Sequence, residues 1–426
     1  MKVLKFGGAS VKDAAGVRNV ARVLKHFAGE EVLIVVSAMG KTTNALEVLV
    51  WDWRAGRDVQ AQFSALRDAH LKVLREVVPG FEEAEAWVLE SFEELEELLG
   101  GTPTDKPDQD YDQVVCFGEL WSTMIVSAFL SEELDGCSWM DARDLVRTDG
   151  LYRNARVDWE ASAALVKESF PREEASDRVE FPVVTQGFIG ATEEGFTTTL
   201  GREGSDFSAA IFAYLLDAES VTIWKDVPGM FNADPNRFPD TRLLAHISYR
   251  EAIELSYFGA SVIHPRTLQP LQQKHIPLYV RSFVDLQAPG SIIDDHSEND
   301  SLIPSFIVKP AQLLISITPR DLSFIVEENL SGIFRLFAQR NVRIDLMQNS
   351  ALAFSVVVDD SPRSRALIEE LRKDYEVRYN EGCELVTVRH FDEPTLAQLT
   401  AGKEVLIEQR SRSTARFVVK QPGPGR

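Results

Sequence analysis

The segment Lys5-Phe-Gly-Gly-Ala-Ser10 carries residue types that bind phosphate groups. Gly7 and Gly8 would let backbone amides approach an anion closely, and Lys5 would place a cation beside them. A tight turn with a surface lysine explains the same residues equally well. This segment alone therefore leaves both interpretations open.

The segment Gly201-Arg-Glu-Gly-Ser-Asp206 suits the binding of an acidic small molecule. Arg202 offers a planar fork for a carboxylate, Ser205 would place its amide at the start of a helix, and Asp206 could orient a basic group. A purely structural loop would not need an arginine, two glycines and an aspartate so close together. The segment therefore favours a ligand site.

Small polar residues follow the apolar run Val32–Val36, at the position where open α/β sheets bind ligands. Ser37 and Thr43 are candidate substrate contacts, with helix capping as the alternative. Gly40-Lys-Thr is not a Walker phosphate loop, because Val35 stands where that pattern requires glycine. A fourth segment, Trp224–Arg237, contains cations, an acceptor and an aromatic ring that suit a nucleotide without specifying one.

The composition excludes several classes of protein. Lys and Arg number 45 and Asp and Glu 66, which gives a net charge of −21, so we expect no nucleic acid partner and no membrane. Three cysteines without a Cys-x-x-Cys pair favour a cytoplasmic protein over a disulfide framework. His264 has no partners at metal-ligand spacing, so we expect no metal held by side chains and interpret it as structural.

Up to about Asp300, short apolar strands alternate with segments of helical periodicity, which predicts an α/β fold. We expect an open, mostly parallel sheet with helices on both faces. The predicted strands are Val3–Phe6, Val32–Val36, Cys137–Met140, Pro182–Gln186, Val221–Trp224 and Leu278–Val280. The predicted helices are Ala14–Phe27, Asn44–Trp53, Ser205–Leu216 and Tyr249–Tyr257, with Phe81–Leu99 as an acidic helix that either meets a partner or is simply solvated. Each candidate segment stands at a strand end or a helix start of this pattern.

The pattern changes after a boundary at Asp285–Ser301, which is rich in Pro, Gly, Asp and Ser. The order that follows is β-α-β-β-α-β, typical of the ferredoxin-like fold. Its elements are Gln312–Thr318, Glu327–Gln339, Val342–Leu346, Leu352–Val358, Ser361–Lys373 and Glu384–Arg389. Pro394 to Lys420 should add one short helix and two strands that complete this module or a partner subunit, and residues 421–426 should be disordered.

Five motifs, in order, resemble those of aspartate kinases, the aspartokinase branch of the amino-acid kinase superfamily. They are Lys5–Ser10, Phe117-Gly-Glu119, Gly201–Asp206, Asp226-Val-Pro-Gly and Phe258-Gly-Ala-Ser-Val-Ile-His-Pro265. The C-terminal pattern resembles the ACT regulatory domains of those enzymes. The resemblance implies a catalytic domain at 1–300, an ACT-like domain at 309–382 and a second, truncated ACT-like segment at 383–420.

The resemblance also implies transfer of the ATP γ-phosphoryl group to the side-chain carboxylate of L-aspartate, giving 4-phospho-L-aspartate, the entry step to lysine, threonine and methionine. Lys5 with the Gly7 and Gly8 amides would hold the transferring group, and Asp206 would organise the lysine. Aspartate would contact Ser37, Thr43, Glu119, Arg202 and Ser205, with Glu119 receiving its ammonium and Arg202 a carboxylate. The nucleotide would contact Lys225, Asp226, Phe231, Arg237 and Ser261, with Mg²⁺ held through its phosphates.

Feedback regulation is the last implication of the resemblance. ACT-like modules usually bind an amino acid where two of them pair, so we expect a homodimer or a higher homo-oligomer. Lysine is the first candidate effector and threonine the second. The expected effector residues are Asn329, Leu330, Ser331 and Gly332 at a helix start, and Asp345, Gln348 and Asn349 at the neighbouring strand end.

Several positions depart from the family pattern. Ala9 replaces a threonine, and Glu203 replaces a glycine, which brings a negative charge and disfavours positive φ. Ser261 stands where many relatives keep a lysine, while Lys225 stands where they have threonine, so Lys225 is expected to take over the missing ATP contact. A glutamate 5-kinase, a fused homoserine dehydrogenase and a non-catalytic amino-acid sensor are the alternatives. The paired Glu119 and Arg202 motifs disfavour the glutamate 5-kinase, and the chain length disfavours the fused dehydrogenase. The presence of Lys5 and Asp206 disfavours the non-catalytic sensor.

Overall fold

The computed structural model describes residues 1–134, 136–171, 180–260, 263–321 and 323–421, which form two compact units. The first unit comprises Met1–Met230, Leu243–Ile253 and Val262–Ser297. The second comprises Phe231–Arg242, Glu254–Ser261 and Glu298–Arg426. The residues predicted to form a disordered tail lie outside the described part of the chain, except Gln421.

The strands are β1 Lys2–Phe6, β2 Val32–Val36, β3 Ser138–Met140, β4 Val183–Gln186, β5 Ile189–Ala191, β6 Thr197–Thr199, β7 Ser220–Lys225, β8 His246–Ser248, β9 Leu278–Ser282, β10 Ser291–Asp294, β11 Ser305–Pro319, β12 Leu346–Asn349, β13 Phe354–Asp359, β14 Tyr375–Arg389, β15 Glu404–Arg410 and β16 Thr414–Lys420. The helices are α1 Ala14–Leu24, α2 Thr42–Arg54, α3 Gln60–Val77, α4 Glu82–Gly100, α5 Pro107–Val115, α6 Phe117–Glu133, α7 Ala142–Leu145, α8 Trp159–Ser169, α9 Gly204–Leu216, α10 Tyr249–Phe258, α11 Pro265–Gln273, α12 Glu327–Gln339, α13 Pro362–Leu371 and α14 Glu393–Thr400. A short 3₁₀ turn, Lys25–Phe27, follows α1.

The first unit is built on an eight-stranded sheet in the order β3-β4-β2-β1-β7-β9-β10-β8. All pairs are parallel except β9 with β10. All five residues of β2 are buried, because helices cover both faces of a parallel sheet. The predicted fold class is confirmed. The carboxyl ends of β1, β2 and β7 therefore meet at one edge.

The helical stretch Pro107–Glu133, which contains α5 and α6, is long and apolar enough to cross a membrane. Almost all of its most apolar part is buried inside the protein, as in a core helix of a globular fold. Within this stretch, α6 packs against β2 and β4 of the eight-stranded sheet.

The second unit contains a six-stranded sheet in the order β12-β13-β11-β14-β16-β15. Its pairs are antiparallel, and β11 and β14 pair with each other along most of their length. One apolar core includes Ile333, Phe337 and Leu367 of α12 and α13, and another includes Leu396 and Leu399 of α14. Residues 309–382 and 383–420 thus share one sheet, and the division between them stays a prediction.

Most predicted elements occur in the structure, and β2 and α12 coincide with their predicted bounds. The predicted strand Val342–Leu346 is wrong, because the pairing begins at Leu346 and runs to Asn349. Val342 and Ile344 instead pack against the apolar core from a loop, so their alternation reflects burial without strand pairing. Short strands that the sequence analysis did not predict are β5, β6, β8 and β10.

Candidate functional site

A cavity of about 680 Å³ in the first unit brings most of the predicted ligand-binding residues together. This volume lies in the range of small-molecule sites. The predicted residues along its wall are Lys5, Gly8, Ser37, Thr43, Glu119, Arg202, Ser205, Asp206 and Lys225.

Two lysines share one buried carboxylate in this cavity. The Nζ of Lys5 lies 2.5 Å from Oδ1 of Asp206, and the Nζ of Lys225 lies 3.3 Å from Oδ2. Burial would raise the pKa of Asp206, but the two lysine charges outweigh burial and hold the pKa below its ordinary value. Two cations and one anion leave a net positive charge, which suits a phosphate group.

Sheet register explains why the two lysines face the same way. In the parallel β1/β7 pair, Lys5 lies opposite Ile223. Lys225 comes two residues after Ile223, so its side chain points to the same face of the sheet. Asp206 stands in the first turn of α9, where the helix dipole favours a carboxylate.

The Gly8 backbone lies directly against the loop that follows β2. Its carbonyl accepts a hydrogen bond of 2.9 Å from the amide of Gly40, and a Cβ on Gly8 would stand 2.5 Å from the carbonyl oxygen of Ala38. Only glycine allows this approach. A Cβ on Gly7 would lie 3.4 Å from the Nζ of Lys5, so Gly7 stands beside the ammonium group.

Glu119 is a buried carboxylate that lacks a second partner. Its Oε1 accepts a hydrogen bond of 3.3 Å from the amide of Ala38, while its Oε2 is buried without any hydrogen bond. Burial raises the pKa of Glu119 to about 8. An ionised carboxylate at this position would be stabilised by a cation placed in the cavity.

Ser37 and Thr43 lie in the cavity wall near Glu119. Helix α2 begins at Thr42, its cap residue is Lys41, and no side chain caps it. Thr43 is therefore inside the first turn, which does not match the helix-capping alternative.

Arg202 and Ser205 lie at the start of α9, and Arg202 is exposed. Glu203 is the cap residue of α9 and adopts a left-handed conformation, with φ of 55°. A glutamate was expected to disfavour positive φ at this position, yet Glu203 adopts it in the turn before α9. Backbone strain of about 1–3 kcal/mol at such a residue is typical of functional sites. One carboxylate oxygen of Glu203, Oε2, is buried without a hydrogen bond.

Arg153 also lines the cavity, although no sequence motif predicted it. Its guanidinium lies 4.2 Å from the ring centroid of Tyr111, and its amide donates a hydrogen bond of 3.0 Å to Oδ2 of Asp112. Asp112 also accepts hydrogen bonds from the amide and hydroxyl of Thr199, and burial raises its pKa to about 6. No local motif marks Arg153, because its position depends on contacts with α5 and β6.

Three described residues that were predicted to contact the nucleotide, Asp226, Phe231 and Arg237, do not line this cavity. Asp226 is exposed beyond the end of β7. Phe231 and Arg237 belong to the second unit, where Arg237 pairs with Glu384 at 2.9 Å. Ser261 lies outside the described residues.

The predicted effector residues lie in the second unit, around the start of α12 and along β12. Asn329, Leu330, Ser331 and Gly332 occupy the beginning of α12, and the side chain of Asn329 accepts a hydrogen bond from the amide of Val326. Asp345 is paired with Lys309 at 2.5 Å. Gln348 and Asn349 are exposed on β12, an edge strand.

Comparison with known proteins gives consistent results. A model of the amino acid kinase family matches residues 1–282. Lysine-sensitive aspartokinase 3 of Escherichia coli (strain K12) is 32% identical over 401 residues, which cover 91% of this chain and 86% of that protein. The crystal structure of E. coli aspartokinase III with lysine and aspartate (T-state) matches with a TM-score of 0.81 and 27% identity, covering 99% of this chain and 96% of that one. The structure of the same enzyme with aspartate and ADP (R-state) matches with a TM-score of 0.80, 27% identity and the same coverage.

Proposed function

The chain belongs to the aspartokinases of the amino acid kinase family, and we infer that its cavity transfers the γ-phosphoryl group of ATP to the side-chain carboxylate of L-aspartate. The product is 4-phospho-L-aspartate, the entry compound for lysine, threonine and methionine. Glu119 is the observation that carries the choice of substrate. A buried carboxylate with an unpartnered oxygen calls for a cation, and the ammonium of an amino acid supplies one.

The aspartate site is built around complementary charges. Glu119 receives the ammonium, and Arg202 receives the α-carboxylate with a planar pair of donors. Ser37 after β2, Thr43 in the first turn of α2 and Ser205 in the first turn of α9 add polar contacts.

The transfer step asks little covalent work of the protein. A side-chain carboxylate is already ionised at neutral pH, so an oxygen lone pair attacks the γ-phosphorus, the bond to the ADP oxygen breaks, and no general base is required. Two anions must nevertheless approach each other. Lys5 and the amides of Gly7 and Gly8 stabilise the charge on the transferring group, while Asp206 holds the Lys5 ammonium in place.

Lys225 is the proposed second cation of the nucleotide site. Its side chain is about one-fifth exposed and shares Asp206 with Lys5, so the two ammonium groups flank one carboxylate. We expect Lys225→Thr to weaken ATP binding, measured by fluorescence titration with a labelled ADP, and Ser261→Lys to restore part of the loss. Normal ATP binding by Lys225→Thr would contradict this role.

Mg²⁺ would be held mainly through the nucleotide phosphates. Both oxygens of Asp206 are engaged by lysines, so the phosphate oxygens of the nucleotide and water would be the main ligands of the ion. Bound Mg²⁺ supplies charge neutralisation at the phosphate oxygens.

Regulation is proposed for the second unit. A Cβ on Gly332 would meet no atom within 4 Å, so the start of α12 has room for an effector, and the edge strand β12 is the strand proposed to pair with a second copy of the chain. Lysine is the first candidate effector and threonine the second, and the enzyme is expected in the cytoplasm as a homodimer or larger oligomer. Inhibition by lysine, threonine and methionine should be compared between wild type and Gly332→Val, with light scattering to give the oligomeric state. Equal inhibition of both proteins would contradict this effector site.

The activity is tested by ADP release from ATP with L-aspartate against L-glutamate. We expect turnover with aspartate and little with glutamate, whose longer side chain would carry its carboxylate past the phosphoryl group. A preference for glutamate would favour the glutamate 5-kinase alternative.

A further inference from the structure

Three potential metal ligands converge at the β10/β8 end of the large sheet, outside the cavity described above. His246 begins β8, Asp294 ends β10, and His296 follows two residues later. The Nε2 of His246 lies 2.7 Å from Oδ1 of Asp294, and the Nδ1 of His296 lies 3.1 Å from the same oxygen. One ligand atom from each residue lies within 4.8 Å of the other two.

The backbone explains why these side chains meet. Strands β10 and β8 pair in parallel, with Ile292 opposite His246, so Asp294 lies two residues along the sheet on the same face as His246. The amide of His296 donates a hydrogen bond of 2.8 Å to Oδ1 of Asp294. This turn of the chain places the imidazole of His296 next to the same carboxylate. The two rings are 5.9 Å apart between centroids and are inclined by 51°.

The donor set points to a particular class of ion. Two imidazole nitrogens and one carboxylate suit first-row transition metals, whereas Mg²⁺ and Ca²⁺ prefer oxygen ligands. Ligand atoms about 2.0–2.1 Å from a tetrahedral ion stand about 3.4 Å from one another, which is slightly longer than the 2.7 and 3.1 Å contacts of this cluster and below the 4.8 Å within which all three ligand atoms lie. The imidazole of His296 is mostly exposed, so it can move to complete the geometry.

We propose that His246, Asp294 and His296 form a binding site for one divalent transition-metal ion, with Zn²⁺ as the expected occupant. Three protein ligands leave a fourth position for water. Because β8 is a three-residue edge strand that leads directly into α10, an ion shared between β8 and β10 would fasten the edge of the sheet. The cluster lies outside the cavity proposed for the nucleotide, and its imidazole ligands differ from the oxygen ligands that Mg²⁺ prefers.

The full-length protein, freed of any affinity tag and treated with a chelator, should be titrated with Zn²⁺ by calorimetry and with Co²⁺ by visible absorption. We expect one equivalent to bind and the melting temperature to rise. His246→Asn and His296→Asn should each weaken binding by more than about tenfold and abolish the thermal shift, since even outer-shell losses cost 10–100-fold. Excess Mg²⁺ should not displace the ion.

His275 provides a matched control, because its Nδ1 lies 2.5 Å from Oδ2 of Asp295 as an exposed pair with a single imidazole. His275→Asn should bind Zn²⁺ as wild type does. Circular dichroism should show that the His296→Asn variant is folded, because the side chain of His296 is mostly exposed. Absence of a stoichiometric site, wild-type affinity in His296→Asn, or an equal loss in His275→Asn would overturn the proposal.

Discussion

Replacing Glu119 by glutamine tests how the enzyme recognises the aspartate ammonium. Burial raises the pKa of Glu119 from 4.5 to about 8 in the unliganded protein, so the group is largely protonated at neutral pH. An ammonium at its free oxygen favours the carboxylate and lowers this pKa. Aspartate binding should therefore release a proton below pH 8. The KM for aspartate should fall up to about tenfold per pH unit between pH 6 and 8, then level off.

Stability gives an independent measure of the same group. Between pH 4.5 and 8 the unfolded chain has lost this proton while the folded protein retains it, so the free energy of unfolding decreases as pH rises, by up to about 1.4 kcal/mol per unit. Glu119→Gln removes this contribution. The free energy of unfolding of the variant should therefore depend less steeply on pH than that of wild type between pH 4.5 and 8 without aspartate.

The same substitution should weaken aspartate binding. Loss of one partner from a buried charge pair costs about 2–5 kcal/mol, so the KM for aspartate should rise at least about 30-fold while ATP affinity is kept. The assay is ADP release at pH 6, 7 and 8, together with thermal melts with and without aspartate. Glu133→Gln, an exposed residue on the same helix paired with Lys25, is the matched control. A KM within twofold of wild type and an unchanged pH profile would refute the ammonium assignment.

Three further substitutions test the rest of the cavity. Lys5→Ala should lower kcat by about 10²–10³ with a smaller effect on aspartate KM, and near-full turnover would remove Lys5 from the catalytic machinery. Gly8→Ala should damage both substrate affinities and lower the melting temperature, because its Cβ would meet the Ala38 carbonyl at 2.5 Å; an unchanged melting temperature would contradict the close approach of the two loops. Arg202→Lys should raise aspartate KM strongly while ATP affinity stays near wild type, since a lysine cannot offer a planar pair of donors; parallel loss of both affinities would point to misfolding instead.

The sequence predicted the fold where local signals and tertiary packing agree. The run Val32–Val36 is apolar throughout because β2 is buried on both faces. The predicted helix Tyr249–Tyr257 begins where expected, and the hydroxyl of Ser248 accepts a hydrogen bond from the amide of Glu251 at its start. Strands β5 and β6 were missed because they have only three residues each and pair with each other as a small hairpin. All their residues are buried, although the threonines of β6 and the glycine of β5 do not give the apolar pattern of a buried strand.

The cavity was predictable to the extent that glycines and charged residues stand together in the chain. Gly8 and Asp206 belong to dense motifs, whereas Arg153 stands in a segment with no such pattern. Arg153 has a φ of 64°, which is uncommon for a residue other than glycine, and no motif around it predicts this conformation. It is imposed by the buried Asp112, which binds the Arg153 amide and Thr199 together.

The position of Lys225 depends on sheet order, which the sequence analysis did not derive. Parallel pairing of β1 with β7 places Lys5 opposite Ile223, two residues before Lys225. The first turn of α9 then places the carboxylate of Asp206 between the two lysine ammonium groups. Had β2 been the neighbour of β7, the same three residues would not share an ion pair. A lysine at a strand end thus becomes a phosphate-site cation only because of the strand beside it, and that pairing is a property of the whole sheet.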